Sequence, residues 1–154
     1  PVTDPHGKTP YGLAISCAKL TYYLASYWQV YILSLLKLRI ESTLILFDRD
    51  FHDMLVDGKR YRLAPTSRWM AKLIISLTPK SDLTFILDVD PVACHSRKPE
   101  LTIPELERQR KRLLALVEGK DSWTVIDSNQ SPPDVADQVC RRIIDLLVTR
   151  SKAY

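Results

Sequence analysis

The stretch Asp82–Pro91, with the sequence DLTFILDVDP, decides the fold class of this chain. A short apolar run ends abruptly at acidic side chains, and a proline suited to the first turn of a helix follows at once. This order predicts a buried strand over residues 83–90, with polar chemistry at its carboxyl end and a helix beginning at Pro91.

Two further stretches, Ser42–Arg49 (STLILFDR) and Trp123–Asp127 (WTVID), are also short apolar runs that stop at aspartate. Helical spacing of apolar residues predicts helices over 12–39, 66–78, 103–118 and 131–149. Strands that alternate with helices predict an α/β fold, a parallel sheet of three strands flanked by helices. Because ligands of such sheets bind beyond the carboxyl ends of the strands, the aspartates at 48, 88, 90 and 127 are expected near one edge.

Composition fits one domain over 1–154, with a loop over 1–11 and a core over 12–154, since 45% of the 154 residues are hydrophobic. The net charge of +4 is mild enough to serve solubility alone, and an anionic ligand, such as a nucleotide or another phosphorylated small molecule, is the second interpretation. Clustering of basic residues over 59–62 and 97–112 slightly favours such a localised anion site. Acidic residues interleave with the basic ones, so nucleic-acid binding is not expected. Three widely spaced cysteines without metal-ligand spacing indicate a reduced, cytoplasmic protein.

The uncharged run Leu20–Leu36 admits two interpretations. A membrane span is one, but the run is shorter than the ~20 apolar residues that a span needs, and it contains four tyrosines. A mostly buried helix of a soluble domain is therefore favoured, and membrane association is the weaker alternative.

Asp48 and Arg49 are the first candidates for chemistry, because they end a predicted strand. An arginine offers a rigid fork of donors to phosphate oxygens, and a carboxylate can hold Mg²⁺ or accept a hydroxyl proton. A surface ion pair is the alternative. Arg97 is the second candidate, since a mobile segment bearing arginine could close over a nucleotide, whereas most charges over 97–112 fit a solvated helix face.

Taken together, these segments resemble the thymidylate kinase family of P-loop kinases. The resemblance covers roughly residues 20–150 in the family's order. Its motifs are a strand ending in Asp-Arg, a second strand ending in acid and proline, an arginine-bearing lid, a helix after the lid, and a last strand and helix. They correspond to Leu44–Asp50, Asp82–Pro91, Arg97–Lys98, Leu106–Leu113 and the segment from Val125.

The resemblance implies ATP-dependent phosphoryl transfer to a nucleoside monophosphate, with Mg²⁺, in the intact protein. It implies that Asp48 lies near the metal and the acceptor phosphate and that Arg49 grips phosphate. Arg97 and Lys98 would belong to the lid over ATP. Asp48, Arg49 and Arg97 are thus the candidate catalytic residues, and Asp48 is the candidate metal ligand.

The resemblance further implies that Arg60 and Arg62 approach the acceptor, as Arg49 does. The family places an arginine that contacts the acceptor phosphate 22 positions before the arginine of Asp-Arg, and Tyr27 stands there in this chain. Tyr27 is therefore a candidate substrate-binding residue, and thymidylate itself is in doubt. Asp50 also replaces the aromatic residue or histidine that usually follows Asp-Arg.

The family's glycine-rich phosphate loop and its strand are absent from the sequence. In the family that strand lies between the strands that here end at Asp48 and Asp88, so these two must pair directly or the gap must be filled. The chain is therefore expected to be part of a longer protein and to be inactive alone. The alternative is a non-catalytic interaction module with a degenerate kinase fold. Such a module could form a homodimer in which the tyrosine-rich helix is the contact surface. The kinase interpretation requires both strands to share one parallel sheet.

Overall fold

The structure is a computed structural model that describes residues 6–152, so the predicted loop over 1–11 lies partly outside the described residues. The chain divides into two compact units, Pro1–Lys80 and Ser81–Tyr154. The expectation of one domain over 1–154 stays a prediction.

The first unit is helical over its described residues, and no residue of 6–80 forms a strand. Its long N-terminal helix continues through a π-helical turn into a second short helix without a break. The elements are α1 (Leu13–Val30), the π-helical turn (Tyr31–Leu35), α2 (Leu36–Ile40), α3 (Asp53–Val56), a 3₁₀ turn (Pro65–Ser67) and α4 (Arg68–Leu77).

The core of this unit is small. Leu20 of α1 packs with Leu55 of α3 and with Ala71 and Ile74 of α4, and Leu63 completes the buried cluster. The remaining apolar residues of the long helix are partly or largely exposed, so the prediction of a mostly buried helix is wrong. No helix within 6–152 is both long and apolar enough to cross a membrane.

The strand predicted over 42–47 is not formed. Leu44, Leu46 and Phe47 expose 60%, 74% and 57% of their surface. A strand must pair its backbone N–H and C=O groups with a neighbour, and the described residues offer this segment none. The predicted three-stranded sheet, and the shared edge bearing both Asp48 and Asp88, are therefore wrong for this structure.

The second unit contains a two-stranded parallel sheet with helices packed on it. Its elements are β1 (Thr84–Asp88), α5 (Pro91–Arg97), α6 (Ile103–Val117), β2 (Trp123–Asp127) and α7 (Pro132–Ser151). The strands pair in register, from Thr84 opposite Trp123 to Asp88 opposite Asp127. The chain is thus helix-rich with a small parallel sheet, which is compatible with an α/β fold.

Candidate functional site

Arg49 lies in an unusual backbone conformation, just before α3. Its φ is 76°, in the left-handed region that costs a side-chain-bearing residue about 1–3 kcal/mol. Its Nη1 lies 3.5 Å from Oδ2 of Asp53, the first residue of α3. The Arg49 side chain is 56% exposed, against 28% for Asp53, so the pair holds the guanidinium at the surface.

The carboxyl group of Asp53 lies between opposing charges. Burial raises its pKa, Arg49 and Arg60 lower it, and the neighbouring Asp50 and Asp57 raise it. The charge of Arg60 therefore reaches the same carboxylate that pairs with Arg49. Arg49 thus pairs directly with Asp53, whereas Nε of Arg60 lies 3.8 Å from Oδ2 of Asp57 and its charge acts on Asp53.

Tyr61 shares this environment. Burial raises the pKa of its phenol, the charge of Asp53 adds to the shift, and Arg49 and Arg60 oppose it. A neutral phenol remains a hydrogen-bond donor. We call Arg49, Asp53, Arg60 and Tyr61 the guanidinium cluster. Sequence reasoning missed Asp53 and Tyr61 as members of it.

The loop that carries Arg60 and Tyr61 is fixed by polar contacts. Lys19 of α1 donates from Nζ to the backbone oxygen of Tyr61 at 2.8 Å. The backbone N–H of Arg60 donates to Oδ1 of Asp57 at 3.3 Å, and Nε2 of His6 lies 2.7 Å from the same oxygen. These contacts hold the loop against α1 and the N-terminal segment.

Arg62 is engaged elsewhere in the first unit. Its guanidinium lies over the ring of Tyr11, 4.0 Å from the centroid, and donates to the Tyr11 hydroxyl at 2.9 Å. Its Nε donates to the backbone oxygen of Thr9 at 3.1 Å. These contacts give Arg62 a structural role, and its predicted role toward substrate stays a prediction.

Tyr27 belongs to an aromatic cluster beside the same loop. Its ring meets Phe51 edge-on, with centroids 5.5 Å apart, and lies 6.1 Å from the ring of Tyr31, against which it stacks. Burial raises the pKa of the Tyr27 phenol. The charges of Tyr31 and Asp50 raise this pKa further, and the charge of Arg39 lowers it. The charge of Asp50 thus reaches Tyr27, which places this ring near the loop that contains Arg49.

Asp48 is exposed, and within residues 6–152 it belongs to no group of three protein ligands that could enclose a metal ion. Mg²⁺ commonly takes only one or two protein carboxylates together with nucleotide phosphates, and a single carboxylate fits that limited role. The sequence contains no Gly-x-x-x-x-Gly-Lys-Ser/Thr stretch. The residues present therefore supply no phosphate loop for the triphosphate of ATP, and no catalytic step follows from them alone.

In the second unit, Asp88 at the end of β1 is held by Arg110 of α6. The two side chains make a bidentate pair, with Nε 2.5 Å from Oδ1 and Nη2 2.6 Å from Oδ2. The hydrogen bonds from Arg110 lower the pKa of Asp88. Sequence reasoning missed Arg110 within a charged stretch, although it lies four residues after Leu106 and three before Leu113, on the apolar side of the helix.

The other acids at this sheet edge also serve the fold. Asn129 donates its backbone N–H and its Nδ2 to Oδ1 of Asp127, at 3.0 and 2.7 Å. Its own Oδ1 accepts from the backbone N–H of Asp90 at 3.0 Å. The Asp90 carboxylate caps α5 by accepting from the backbone N–H groups of Val92 and Ala93. The predicted gathering of acids at a sheet edge is thus confirmed for positions 88, 90 and 127, whereas Asp48 does not end a strand.

Arg97 and Lys98 lie at the C-terminal end of α5 and are exposed. Nζ of Lys98 lies 2.8 Å from Oε1 of Glu100. A groove of about 310 Å³ in this unit is lined by other residues, namely Asp90, Pro91, Glu107, Arg110, Lys111 and Leu114. The lid roles of Arg97 and Lys98 stay predictions.

Comparison with known proteins gives one partial relationship. The chain is 37% identical over 87 residues to a protein of Pyrobaculum aerophilum described as a probable thymidylate kinase. The match covers 52% of this chain and 45% of that protein, so the chain spans less than half of its relative. No protein-family model matches the chain. A match of this extent suggests the thymidylate kinase family without showing membership.

Proposed function

We propose that the intact protein is a thymidylate kinase-like enzyme that transfers the γ-phosphoryl group of ATP to a nucleoside monophosphate in the cytoplasm. The partial identity to the probable thymidylate kinase carries this conclusion. The guanidinium cluster gives it a physical basis in this chain, as the place where the acceptor phosphate binds.

The cluster suits a phosphate for three reasons. The charges of two arginines act on one carboxylate, and a guanidinium fork matches phosphate oxygens in geometry. The Arg49 side chain is more than half exposed, so a ligand can reach it. Tyr61 adds a neutral donor to the same surroundings. Tyr27 supplies an aromatic ring nearby, on which a nucleobase could stack.

The remaining roles follow the family resemblance. Asp48 would hold Mg²⁺ through water once nucleotide phosphates supply the other ligands, and Arg97 with Lys98 would close over ATP. When bound, ATP and Mg²⁺ supply the phosphoryl group and neutralise its charge. None of these residues lies on the shared sheet edge that the kinase interpretation required. Support for the kinase function therefore comes from the sequence similarity and from the first unit.

A binding experiment tests the acceptor site directly. Thymidine monophosphate titrated into this chain by calorimetry should bind, and Arg49→Ala should weaken binding about 10–100-fold. Loss of a charge-assisted hydrogen bond is worth about 1.5–3 kcal/mol, and each 1.4 kcal/mol is tenfold in affinity. The control is Arg141→Ala, which removes an exposed arginine paired with Asp137. Because Tyr27 puts thymidylate itself in doubt, the other nucleoside monophosphates are titrated as well. Absence of binding by all of them, or equal binding by Arg49→Ala and the control, would refute the site.

A turnover experiment tests the catalytic half. This chain, given ATP, Mg²⁺ and thymidine monophosphate, should release no ADP above background, because the sequence lacks a glycine-rich phosphate loop. Turnover on the order of 1–100 s⁻¹, the ordinary range for kinases, would show that the loop is not needed.

The exposed apolar surface favours a second candidate, a non-catalytic interaction module. The side chains of Leu33, Leu44 and Leu46 are largely exposed, and exposed apolar side chains are what an interaction surface would use. Light scattering during size-exclusion chromatography distinguishes the two. A stable homodimer that binds no thymidine monophosphate would favour the module.

A further inference from the structure

We propose that Asp53 is a positioning residue for phosphate binding, an inference that rests on the proposed function of Arg49. Its carboxylate holds the Arg49 guanidinium so that the donors on the outer side of the fork meet an anionic ligand. Asp53 itself does not contact the ligand.

The geometry places the carboxylate on the protein side of Arg49. The contact joins Nη1 to Oδ2 at 3.5 Å, and Asp53 is the more buried of the two partners. A guanidinium has five N–H donors, so one occupied nitrogen leaves donors for a phosphate. A free arginine loses about 2 kcal/mol of rotamer entropy when it is fixed. Holding it in advance lowers the ordering that a ligand must impose.

Asp53 is also the nearby acid best placed for this role. Oδ2 of Asp50 lies 2.7 Å from Nδ1 of His52, and Oδ1 of Asp57 lies 2.7 Å from Nε2 of His6, so both of these acids already pair with a histidine. The left-handed backbone of Arg49 sets the side chain's starting direction, and the carboxylate at the start of α3 fixes its far end. Two anchors therefore define one orientation of the guanidinium.

Charge and positioning predict opposite results when Asp53 is neutralised. The charged groups that face Asp53 are Arg49, Arg60, Asp50 and Asp57, from the loops on both sides of α3. If only net charge mattered, removing one carboxylate from this group would strengthen anion binding. If Asp53 positions Arg49, removing the carboxylate weakens it.

Inorganic sulfate is the probe, because it stays a dianion throughout the pH range of the experiment. Sulfate titrations on the whole chain compare Asp53→Asn, Asp53→Glu and the control Asp137→Asn. The control breaks the exposed Arg141–Asp137 pair, which has a similar spacing of four residues. We expect Asp53→Asn to raise the sulfate Kd about 3–10-fold, Asp53→Glu to restore it to within about twofold, and the control to change nothing.

The outcomes separate this inference from the proposed function. If Arg49→Ala weakens sulfate binding but Asp53→Asn leaves it equal or tighter, Asp53 is not a positioning residue and the anion site stands. If the wild-type chain binds no sulfate, or Arg49→Ala binds it normally, the anion site fails and the role of Asp53 fails with it.

A pH series supplies a readout that a merely structural role would not move. Because burial raises the pKa of Asp53, its proton binds above the ordinary aspartate range. Wild-type sulfate affinity should therefore fall as pH decreases through that pKa, and Asp53→Asn should lack this step. Every other group is common to the two proteins, so the difference between their pH series isolates Asp53. If Asp53→Asn fails to fold, the wild-type series decides, since tighter binding on acidification would overturn the inference.

Discussion

Replacing Ser16 with alanine tests how the loop of the guanidinium cluster is held. Ser16 lies in α1 with 0% of its surface exposed. Its Oγ accepts a hydrogen bond from the backbone N–H of Ala64 at 2.9 Å. Ala64 follows the loop that carries Arg60 and Tyr61, so this bond ties the end of that loop to the long helix. The change Ser16→Ala removes the acceptor and leaves the buried N–H of Ala64 without this hydrogen bond.

The magnitude follows from the unpaired group. A buried donor without a partner costs about 1–3 kcal/mol. Alanine has a higher helix propensity than serine, which recovers about 0.5 kcal/mol. The net loss in the free energy of unfolding is therefore about 0.5–2.5 kcal/mol. A unit of this size loses about 4–8 °C in Tm for each kcal/mol, so a fall of several degrees is expected.

Thermal unfolding followed by circular dichroism measures the effect. Ser76→Ala is the matched control, because Ser76 is an exposed helical serine whose Oγ donates to the backbone oxygen of Leu73 at 2.7 Å. The control gains the same helix propensity and should be unchanged or slightly stabilised. A Ser16→Ala protein as stable as the Ser76→Ala protein would show that the buried bond does not hold the loop.

Two further predictions concern the second unit and the exposed segment. Because Arg110 lowers the pKa of Asp88, their pair should stabilise the unit above the ordinary aspartate pKa and lose that contribution as pH falls through the lowered value. Arg110→Ala should remove this acid-dependent step in unfolding followed by the fluorescence of a Trp28→Phe/Trp69→Phe background, in which Trp123 alone reports, and an unchanged profile would contradict it. Leu46→Lys should reduce concentration-dependent self-association in light scattering, since it places a charge on a side chain that is 74% exposed. Association equal to that of the wild-type chain would exclude this surface.

The helices and two of the strands could be predicted because their signals are local. Apolar spacing, the proline at position 91 and the acid that precedes it specify β1 and α5 without reference to distant residues. The segment 43–47 carries the same signals, yet it forms no strand. A strand depends on a neighbour elsewhere in the chain, and sequence patterns describe the segment but not its partner.

The site was predicted in part for similar reasons. Arg49 could be chosen from its Asp-Arg motif, and its pairing with Asp53 is implicit in a spacing of four residues. The contribution of Tyr61 arises from partial burial and nearby charges, which only the folded chain defines. Arg110 had a readable signal, because its spacing from Leu106 and Leu113 places it on the side of α6 that faces the sheet, but its partner Asp88 lies 22 positions earlier and spacing alone does not identify it.

The π-helical turn over Tyr31–Leu35 has a consequence for how the long helix tolerates changes in length. Nη1 of Arg39 donates to the hydroxyl of Tyr31 at 3.1 Å, eight positions apart. In a regular helix of 3.6 residues per turn, positions seven apart realign, while positions eight apart are rotated by about 80°. The wider turn absorbs one surplus residue, as a π-bulge does, and keeps α1 and α2 in phase. A single deletion inside this turn should therefore preserve the faces on both sides of it, whereas the same deletion within α1 would rotate every later side chain by about 100°.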